Sequence, residues 1–239
     1  MRTVLISGAS RGLGAALAEA FSEDGDQVFA GERNPSGPSQ MPLNVRSLAS
    51  VDDAVRTVVR SAGGIDILIN NAGTHLAGPL ASLDQDRFKE TLDVNLLGAW
   101  RLTKAALPHM RSGGTIAMIS SLSGLVGLPE DGAYAASKFA LEGMSQSLAA
   151  EVAPLGIRVL IFEPGRIATG FAGANDGADP AAVARQIVSI IDDENAPFRN
   201  PLCETGRTLF ETVGIDNGAR TEDLVRQVTG KDWRWQGHC

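Results

Sequence analysis

Cysteine, histidine and tyrosine are all scarce in this chain of 239 residues, and their scarcity excludes several kinds of site. The two cysteines, Cys203 and Cys239, are too few for a disulfide framework and lie too far apart for a thiolate metal site. The three histidines have no partners at metal-ligand spacing, so the sequence predicts no bound metal. The one tyrosine, Tyr134, raises the question of why the only phenol in the chain occupies that position.

Long apolar runs and an excess of positive charge are absent as well. The 21 basic and 28 acidic residues give a formal net charge of −7 and a pI near 5.0, which argues against binding to nucleic acid or to anionic membranes. No apolar run reaches the roughly 18 to 20 residues that a membrane-spanning helix needs, and the N-terminal apolar stretch is too short for a signal peptide. We therefore expect a soluble, cytoplasmic protein that acts on small molecules.

Short β-branched runs alternate along the chain with longer stretches of helical period. Strands are expected at 3–7, 27–31, 65–70, 114–120 and 157–162, and helices near 13–23, 47–61, 84–110, 132–153 and 180–193. The strand segments are almost continuously apolar, as in a parallel sheet that is covered on both faces. We expect one α/β domain over residues 1–239. Irregular composition within about 166–220 indicates either segments that cover the bound substrate or an ordinary irregular surface.

The stretch "SGASRGLG" at 7–14 places Gly8, Gly12 and Gly14 between the first strand and the first helix. Glycines allow a tight turn and a close approach of the backbone to a ligand, and the N-terminus of the helix stabilises phosphate. The spacing differs from the commonest dinucleotide pattern, so a tight turn without a ligand is the alternative.

The end of the second strand bears on the choice of dinucleotide. Glu32 stands about 20 residues beyond the glycine turn, where an acid can accept a hydrogen bond from a ribose 2′-hydroxyl, which favours NAD(H). Arg33, together with Arg11, can instead bind a 2′-phosphate, which favours NADP(H). Both residues can also be merely solvated at the end of a strand.

Tyr134 and Lys138 are four residues apart in a segment of helical composition, so they share one face of a helix. A neighbouring ammonium group is expected to lower the pKa of the phenol towards neutral pH, which suits general acid–base catalysis. The alternative is a chance pairing on the surface of a helix. The run "ISSLSG" at 119–124 adds serines at the end of a strand, where a hydroxyl can bind a substrate carbonyl.

Taken together, six motifs resemble the short-chain dehydrogenase/reductase family, and the resemblance extends to about residue 170. They are "SGASRGLG", "NNAG" at 70–73, Asn95 in "DVNLLG", the serine run, "YAASK" at 134–138 and "PGRIAT" at 164–169. The resemblance implies a Rossmann-type doubly wound parallel sheet of about seven strands with helices on both faces. It also implies reversible hydride transfer between a nicotinamide cofactor and an alcohol or carbonyl compound.

The resemblance assigns catalytic roles to four residues. Tyr134 is the acid/base, and Lys138 lowers its pKa and holds the nicotinamide ribose. Ser121 orients the substrate oxygen, with Ser123 as the alternative, and Asn95 holds a water that links Lys138 to solvent.

A larger set of residues is implied to bind the cofactor. It comprises Gly8, Arg11, Gly12, Leu13 and Gly14 at the phosphates, Glu32 and Arg33 at the adenosine ribose, Asn44, Val45, Asn71, Ala72 and Gly73 on the adenosine side, and Tyr134, Lys138, Pro164, Gly165, Ile167 and Thr169 at the nicotinamide half. This chain departs from the family pattern in two ways. Only "NPSGPSQ" at 34–40 stands where a helix usually joins the second and third strands, and Asn44 replaces an acid at the adenine.

The resulting prediction is an oxidoreductase that prefers NADP(H), with NAD(H) as the alternative cofactor, and acts on a mostly apolar carbonyl or secondary alcohol. The alternative is a non-catalytic dinucleotide-binding sensor of redox state. The apolar helices at 84–110 and 132–153 favour a homodimer or homotetramer. His75 either faces the substrate or is a hydrogen-bonded bystander, which is the commoner role of a lone histidine in a loop. Trp233 and Trp235 seal a substrate pocket, bury into a subunit contact or pack within the tail, of which tail packing is the simplest interpretation.

Overall fold

The computed structural model describes residues 1–35, 37, 40–173, 175–212 and 227. In these ranges seven strands form one parallel sheet in the order β3-β2-β1-β4-β5-β6-β7. The strands are β1 (Thr3–Ser7), β2 (Gln27–Glu32), β3 (Gln40–Pro42), β4 (Ile65–Asn70), β5 (Met110–Ile119), β6 (Arg158–Glu163) and β7 (Arg199–Pro201). The α-helices are α1 (Gly12–Glu23), α2 (Leu48–Ala62), α3 (Gln85–Leu92), α4 (Ala99–Ala106), α5 (Gly132–Val152), α6 (Pro180–Asp192) and α7 (Glu204–Thr212). The predicted seven-stranded, doubly wound sheet is confirmed.

Apolar side chains cover both faces of the sheet. On one face Leu17 and Phe21 of α1 pack with Ile187 of α6 against the central strands. On the other face α2, α4 and α5 contribute residues such as Val55, Leu102 and Leu141. Because both faces are buried, the middle residues of the central strands are apolar, which is why the sequence pattern located them.

The connection between β2 and β3 is short, as the sequence predicted. Residues 33–39 join the two parallel strands, and the described residues of this link form no helix. Parallel neighbours normally need a crossover of a dozen or more residues. Here β3 has only three residues and pairs with the last part of β2, from Ala30 to Glu32, so a short link suffices.

Two predicted segments differ from the structure. The helix expected over 84–110 is divided into α3, a π-helical segment (Asp93–Gly98), α4 and a 3₁₀ turn (Leu107–His109), and β5 already begins at Met110. Within 195–220, which the sequence indicated to be irregular, β7 and α7 form regular structure up to Thr212. The predictions for Trp233, Trp235, His238 and Cys239 lie outside the described residues.

Candidate active site

The strand order reverses between β1 and β4, and the carboxyl ends of these two strands meet at one edge of the sheet. In open α/β sheets this is the place where ligands bind. β1 leads into the glycine turn at Gly8, and β4 leads into Asn71. The order of the strands therefore brings the "SGASRGLG" and "NNAG" motifs together.

The glycine turn has a backbone that only glycine accommodates. Gly8 and Gly12 have φ angles of 71° and 58°, in the left-handed region. A Cβ on Gly14 would lie 2.2 Å from the carbonyl oxygen of Gly8, and one on Gly12 would lie 2.8 Å from Cβ of Thr169. Arg11 occupies the N-cap position of α1, and its side chain accepts no hydrogen bond from the helix. The first N–H groups of α1 therefore remain able to bind an anion. The turn thus fits a pyrophosphate.

The "NNAG" segment braces this turn. Asn71 donates from Nδ2 to the carbonyl oxygens of Ser7 at 3.0 Å and Gly8 at 2.9 Å. The hydroxyl of Ser7 in turn accepts hydrogen bonds from the backbone N–H groups of Asn71 and Ala72, each at 3.1 Å. Gly8 is packed so closely that an added Cβ would lie 2.7 Å from Cα of Ala72. Asn71 and Ala72 therefore fix the shape of the turn.

The structure places Glu32 and Arg33 differently at the end of β2. Glu32 is 5% exposed, and its Oε1 has no hydrogen-bond partner among the described residues, while Arg33 is exposed. A buried carboxylate oxygen without a partner is costly unless a ligand satisfies it. Nearby, Val45 is buried and Asn44 is half-buried, with its Oδ1 accepting from the N–H of Arg46 at 3.1 Å. These residues fit an adenosine group.

Tyr134 and Lys138 lie on the buried face of α5, one turn apart. Nζ of Lys138 is 5.5 Å from the centre of the Tyr134 ring and donates to the carbonyl oxygen of Ile119 at 2.7 Å. Burial lowers the pKa of Lys138 to about 8. Burial also raises the pKa of Tyr134 above its ordinary value. A hydrogen bond with Ser121 lowers this pKa, and the charge of Asp131 raises it further. The expected lowering of the pKa of Tyr134 is therefore not found, because loss of water outweighs the hydrogen bond from Ser121.

The two candidate serines have different surroundings. Ser123 is buried and donates to Oδ2 of Asp131 at 2.6 Å, so its hydroxyl is already used. Ser121 is half-buried, accepts from the N–H of Ser123 at 3.2 Å and interacts with the phenol of Tyr134. Its hydroxyl can still donate to a substrate oxygen.

Asn95 lies in the π-helical segment and is 1% exposed. Its Oδ1 accepts from the N–H of Thr74 at 2.8 Å, and its Nδ2 donates to the carbonyl oxygen of Thr74 and to Oγ of Ser137, both at 2.9 Å. Single π turns often mark functional sites. The side chain joins the loop after β4 to α5 and so fixes the position of the helix that carries Tyr134.

The residues predicted to bind the nicotinamide half follow β6. Pro164 is buried, and Gly165 and Ile167 are half-buried. The carbonyl oxygen of Thr169 is 3.5 Å from Nη1 of Arg11. This segment therefore lies against the glycine turn, at the edge of the sheet formed by the carboxyl ends of the strands.

The sequence reasoning missed a buried group of charges behind Lys138. Glu142, one turn further along α5, forms an ion pair with Arg199 of β7, and Oε1 of Glu163 in β6 is 3.8 Å from the same guanidinium. Both carboxylates are at most 4% exposed. Burial, followed by the charge of Glu142, raises the pKa of Glu163 to about 8. Glutamates in an apolar strand and an amphipathic helix were the only signal in the sequence.

Two kinds of feature are missing from the described part of the chain. No group of three or more His, Cys, Asp or Glu side chains there is arranged to hold a metal ion. None of its helices combines the length and the apolar character needed to cross a membrane.

Comparison with known proteins decides the family. The model of the short chain dehydrogenase family matches residues 2–179. The chain belongs to the short-chain dehydrogenase/reductase family. A 3-ketodihydrosphingosine reductase of Bacteroides thetaiotaomicron is 34% identical over 241 residues, which cover 87% of this chain and 90% of that protein. Human retinol dehydrogenase 8 is 38% identical over 248 residues, which cover 95% of this chain and 76% of that protein.

A solved structure gives the same assignment. A short-chain dehydrogenase of Burkholderia cenocepacia in complex with NADP superposes with a TM-score of 0.83 at 27% identity, over 93% of this chain and 97% of that one. This short-chain dehydrogenase/reductase is therefore an oxidoreductase of a family that uses NAD(P).

Proposed function

We propose that this short-chain dehydrogenase/reductase interconverts a carbonyl compound and the corresponding secondary alcohol, with NADP(H) as the preferred cofactor. The observation that carries the proposal is the buried group formed by Tyr134, Lys138 and Ser121, and we propose that the cofactor cleft runs from the glycine turn to these residues. The bound nicotinamide supplies or accepts the hydride. The residues of the chain orient the substrate, exclude water and move the proton.

The three side chains divide the proton chemistry. In the direction of reduction the O–H of Tyr134 donates a proton to the substrate oxygen, and the hydroxyl of Ser121 donates a hydrogen bond to the same oxygen. Burial keeps the phenol protonated at neutral pH, which suits a general acid. The ammonium group of Lys138 then stabilises the phenolate, and Asn95 keeps α5 in position while a bound water returns the proton.

A preference for NADP(H) is supported by charge at the mouth of the cleft. Arg11 and Arg33 are both exposed there and can bind a 2′-phosphate. The unpartnered Oε1 of Glu32 can accept a hydrogen bond from a 2′-hydroxyl, so NAD(H) is also used, with lower affinity. Arg33→Ala should weaken NADP(H) binding selectively, whereas Glu32→Ala should weaken only NAD(H) binding. Unchanged ratios of the two dissociation constants in both variants would contradict this assignment.

The substrate proposal follows from the side chains near Ser121. Leu122, Val126 and Leu128 pack with Leu209 of α7 beside the serine loop. Such a wall favours an apolar substrate of moderate size. The relatives reported above are named for a 3-ketodihydrosphingosine and for retinol.

The catalytic proposal is tested with a panel of ketones, aldehydes and secondary alcohols, with reduced-nicotinamide absorbance as the signal. Tyr134→Phe and Lys138→Met should each lower kcat by about two to four orders of magnitude, because each removes a part of the acid–base step. Lys89→Met, which removes an exposed lysine of α3, is the matched control. Full turnover by Tyr134→Phe, or dinucleotide binding without turnover of any compound, would contradict the proposal; the second result would favour a redox sensor.

We also propose that the protein is a homodimer or homotetramer that pairs through α4 and α5. Trp100 and Phe139 on these helices are 45% and 47% exposed, and Leu97 in the π-helical segment is 41% exposed. Exposed large apolar side chains on adjoining segments indicate an interface. Phe139→Glu should lower the mass measured by light scattering, and Leu48→Glu on α2 should not. A wild-type monomer would refute the proposal.

A further inference from the structure

A histidine stands next to the catalytic phenol, held in one orientation. His75 lies in the loop after β4, its ring centre is 5.0 Å from that of Tyr134 in an edge-on contact, and it is 6.1 Å from the ring of Phe171. Its Nε2 is 2.7 Å from Oδ1 of Asp131, and its side chain is 20% exposed. The imidazole therefore forms part of the wall against which a substrate at Tyr134 would lie.

Asp131 holds this histidine instead of capping its own helix. It occupies the N-cap position of α5, where an aspartate normally accepts a hydrogen bond from the first turn, and it makes no such bond. Its Oδ1 contacts His75, and its Oδ2 accepts from the hydroxyl of Ser123 at 2.6 Å. Both carboxylate oxygens are thus used to orient groups around the phenol.

The turn that presents Asp131 is strained. Glu130 has a φ angle of 66°, in the left-handed region that side chains other than glycine rarely adopt. Its carbonyl oxygen accepts from the N–H of Gly78 at 2.8 Å, which ties this turn to the loop that carries His75. Strained backbone of this kind is concentrated at functional sites.

The hydrogen-bond pattern defines what His75 offers to a ligand. A carboxylate only accepts, so the neutral tautomer of His75 that bonds to Asp131 carries its proton on Nε2 and has Nδ1 as an acceptor. In the part of the chain that the structure describes, Nδ1 makes no hydrogen bond. A substrate that covers Nδ1 of His75 without donating a hydrogen bond to it binds less tightly. A substrate with a donor at that place recovers the lost affinity.

We propose that His75, fixed by Asp131, is a specificity-determining residue whose Nδ1 accepts a hydrogen bond from a hydroxyl on the substrate, close to the reacting carbonyl. The substrate class is then a hydroxyketone with an apolar body, and the product class is the corresponding diol. This inference rests on the proposed oxidoreductase function, because it requires the substrate oxygen to lie at Tyr134. The hydrogen bond with Asp131 and the strained turn that presents it are unexplained if the half-buried His75 only fills space.

The test compares three substrates that differ at one group. They are an unbranched methyl ketone with a long apolar chain, the same ketone with a hydroxyl on the methyl carbon, and the methyl ether of that hydroxyketone, which keeps the oxygen but cannot donate. The wild-type enzyme should prefer the hydroxyketone to the ether by about tenfold in kcat/KM, the value of one hydrogen bond. The preference should lie mainly in KM, because the hydrogen bond to Nδ1 is present both in the bound substrate and in the transition state and so leaves kcat almost unchanged.

Variants assign the preference to His75. His75→Phe keeps an aromatic ring against Tyr134 and should reduce the ratio of hydroxyketone to ether to about one, while His75→Asn and Asp131→Asn should give intermediate ratios. His109→Phe, which removes an exposed histidine far from the cleft, should keep the wild-type ratio. Circular dichroism and thermal unfolding establish that each variant is folded. If His75→Phe is unfolded, the ratio of hydroxyketone to ether measured for His75→Asn and Asp131→Asn tests the inference in its place.

Several results would overturn the inference while leaving the oxidoreductase proposal intact. One is an unchanged ratio in the His75 variants, and another is an equal loss on all three substrates, which would indicate packing alone. A third is reduction of other carbonyl compounds with no preference for the hydroxyketone. Failure of the proposed function itself would show differently, as turnover that is indifferent to Tyr134→Phe.

Discussion

Replacement of Glu163 by glutamine should remove much of the pH dependence of the free energy of unfolding between about pH 5 and about pH 8. Glu163 is fully buried at the end of β6, where its Oε2 accepts from the N–H of Asn200 at 3.0 Å. Burial and the charge of Glu142 raise its pKa from 4.5 to about 8. Glutamine keeps the shape of the side chain and its capacity to accept from Asn200, but does not titrate.

The direction and size of the effect follow from proton linkage. Between about pH 4.5 and about pH 8 the folded protein keeps a proton on Glu163 that the unfolded chain has already released. The proton favours the folded state, so this contribution is complete at acid pH and is lost as the pH rises through about 8. A shift from 4.5 to about 8 corresponds to about 5 kcal/mol at about 1.4 kcal/mol per pH unit.

The assay is urea unfolding followed by circular dichroism at several pH values in this range, at one protein concentration. Over this range the contribution of Glu163 to the free energy of unfolding of the wild-type protein should fall by several kcal/mol. The free energy of unfolding of Glu163→Gln should change much less with pH. Glu194→Gln, which replaces an exposed carboxylate, is the control and should follow the wild type. Parallel curves for the wild type and Glu163→Gln would refute the reasoning, because they would show that the buried carboxyl does not hold its proton.

Two further predictions concern the cleft. Gly14→Ala should destabilise the protein by more than about 2 kcal/mol and weaken dinucleotide binding in a fluorescence titration, because its Cβ would lie 2.2 Å from the carbonyl oxygen of Gly8. Gly143→Ala on α5, where an added Cβ meets nothing within 4 Å, should instead stabilise by up to about 1 kcal/mol; equal effects of the two would contradict the packing argument. For carbonyl reduction, kcat/KM should fall as the pH rises through about 8, where Lys138 in the free enzyme loses its proton, and a profile that rises there would show that the ammonium group is not needed.

The central strands could be predicted from the sequence because they are buried on both faces. The segments expected at 3–7 and 65–70 are the observed β1 and β4. The edge strand β7 was not located and β3 followed only from the family resemblance, since each has only three residues and includes a proline and a polar residue. Such short strands are held by pairing with a neighbour, which leaves no periodic pattern in the chain.

The parts of the site that lie close together in the sequence were also predictable. The spacing of Tyr134 and Lys138 placed them on one face of a helix, and the structure shows that arrangement. His75 and Asp131 come from separate segments, so their hydrogen bond leaves no local signal. The same holds for the charges behind Lys138. The pKa of Tyr134 was predicted in the wrong direction because depth of burial cannot be read from spacing.

The π-helical segment Asp93–Gly98 makes this stretch intolerant of changes in length. A one-residue deletion there would restore regular α winding, because a π turn holds about one residue more than an α turn. The buried Leu102 and Ala106 of α4 would keep their places on the sheet, but the bulge that sets Asn95 between Thr74 and Ser137 would be lost. Shortening of this stretch should therefore be selected against even where individual side chains can vary freely.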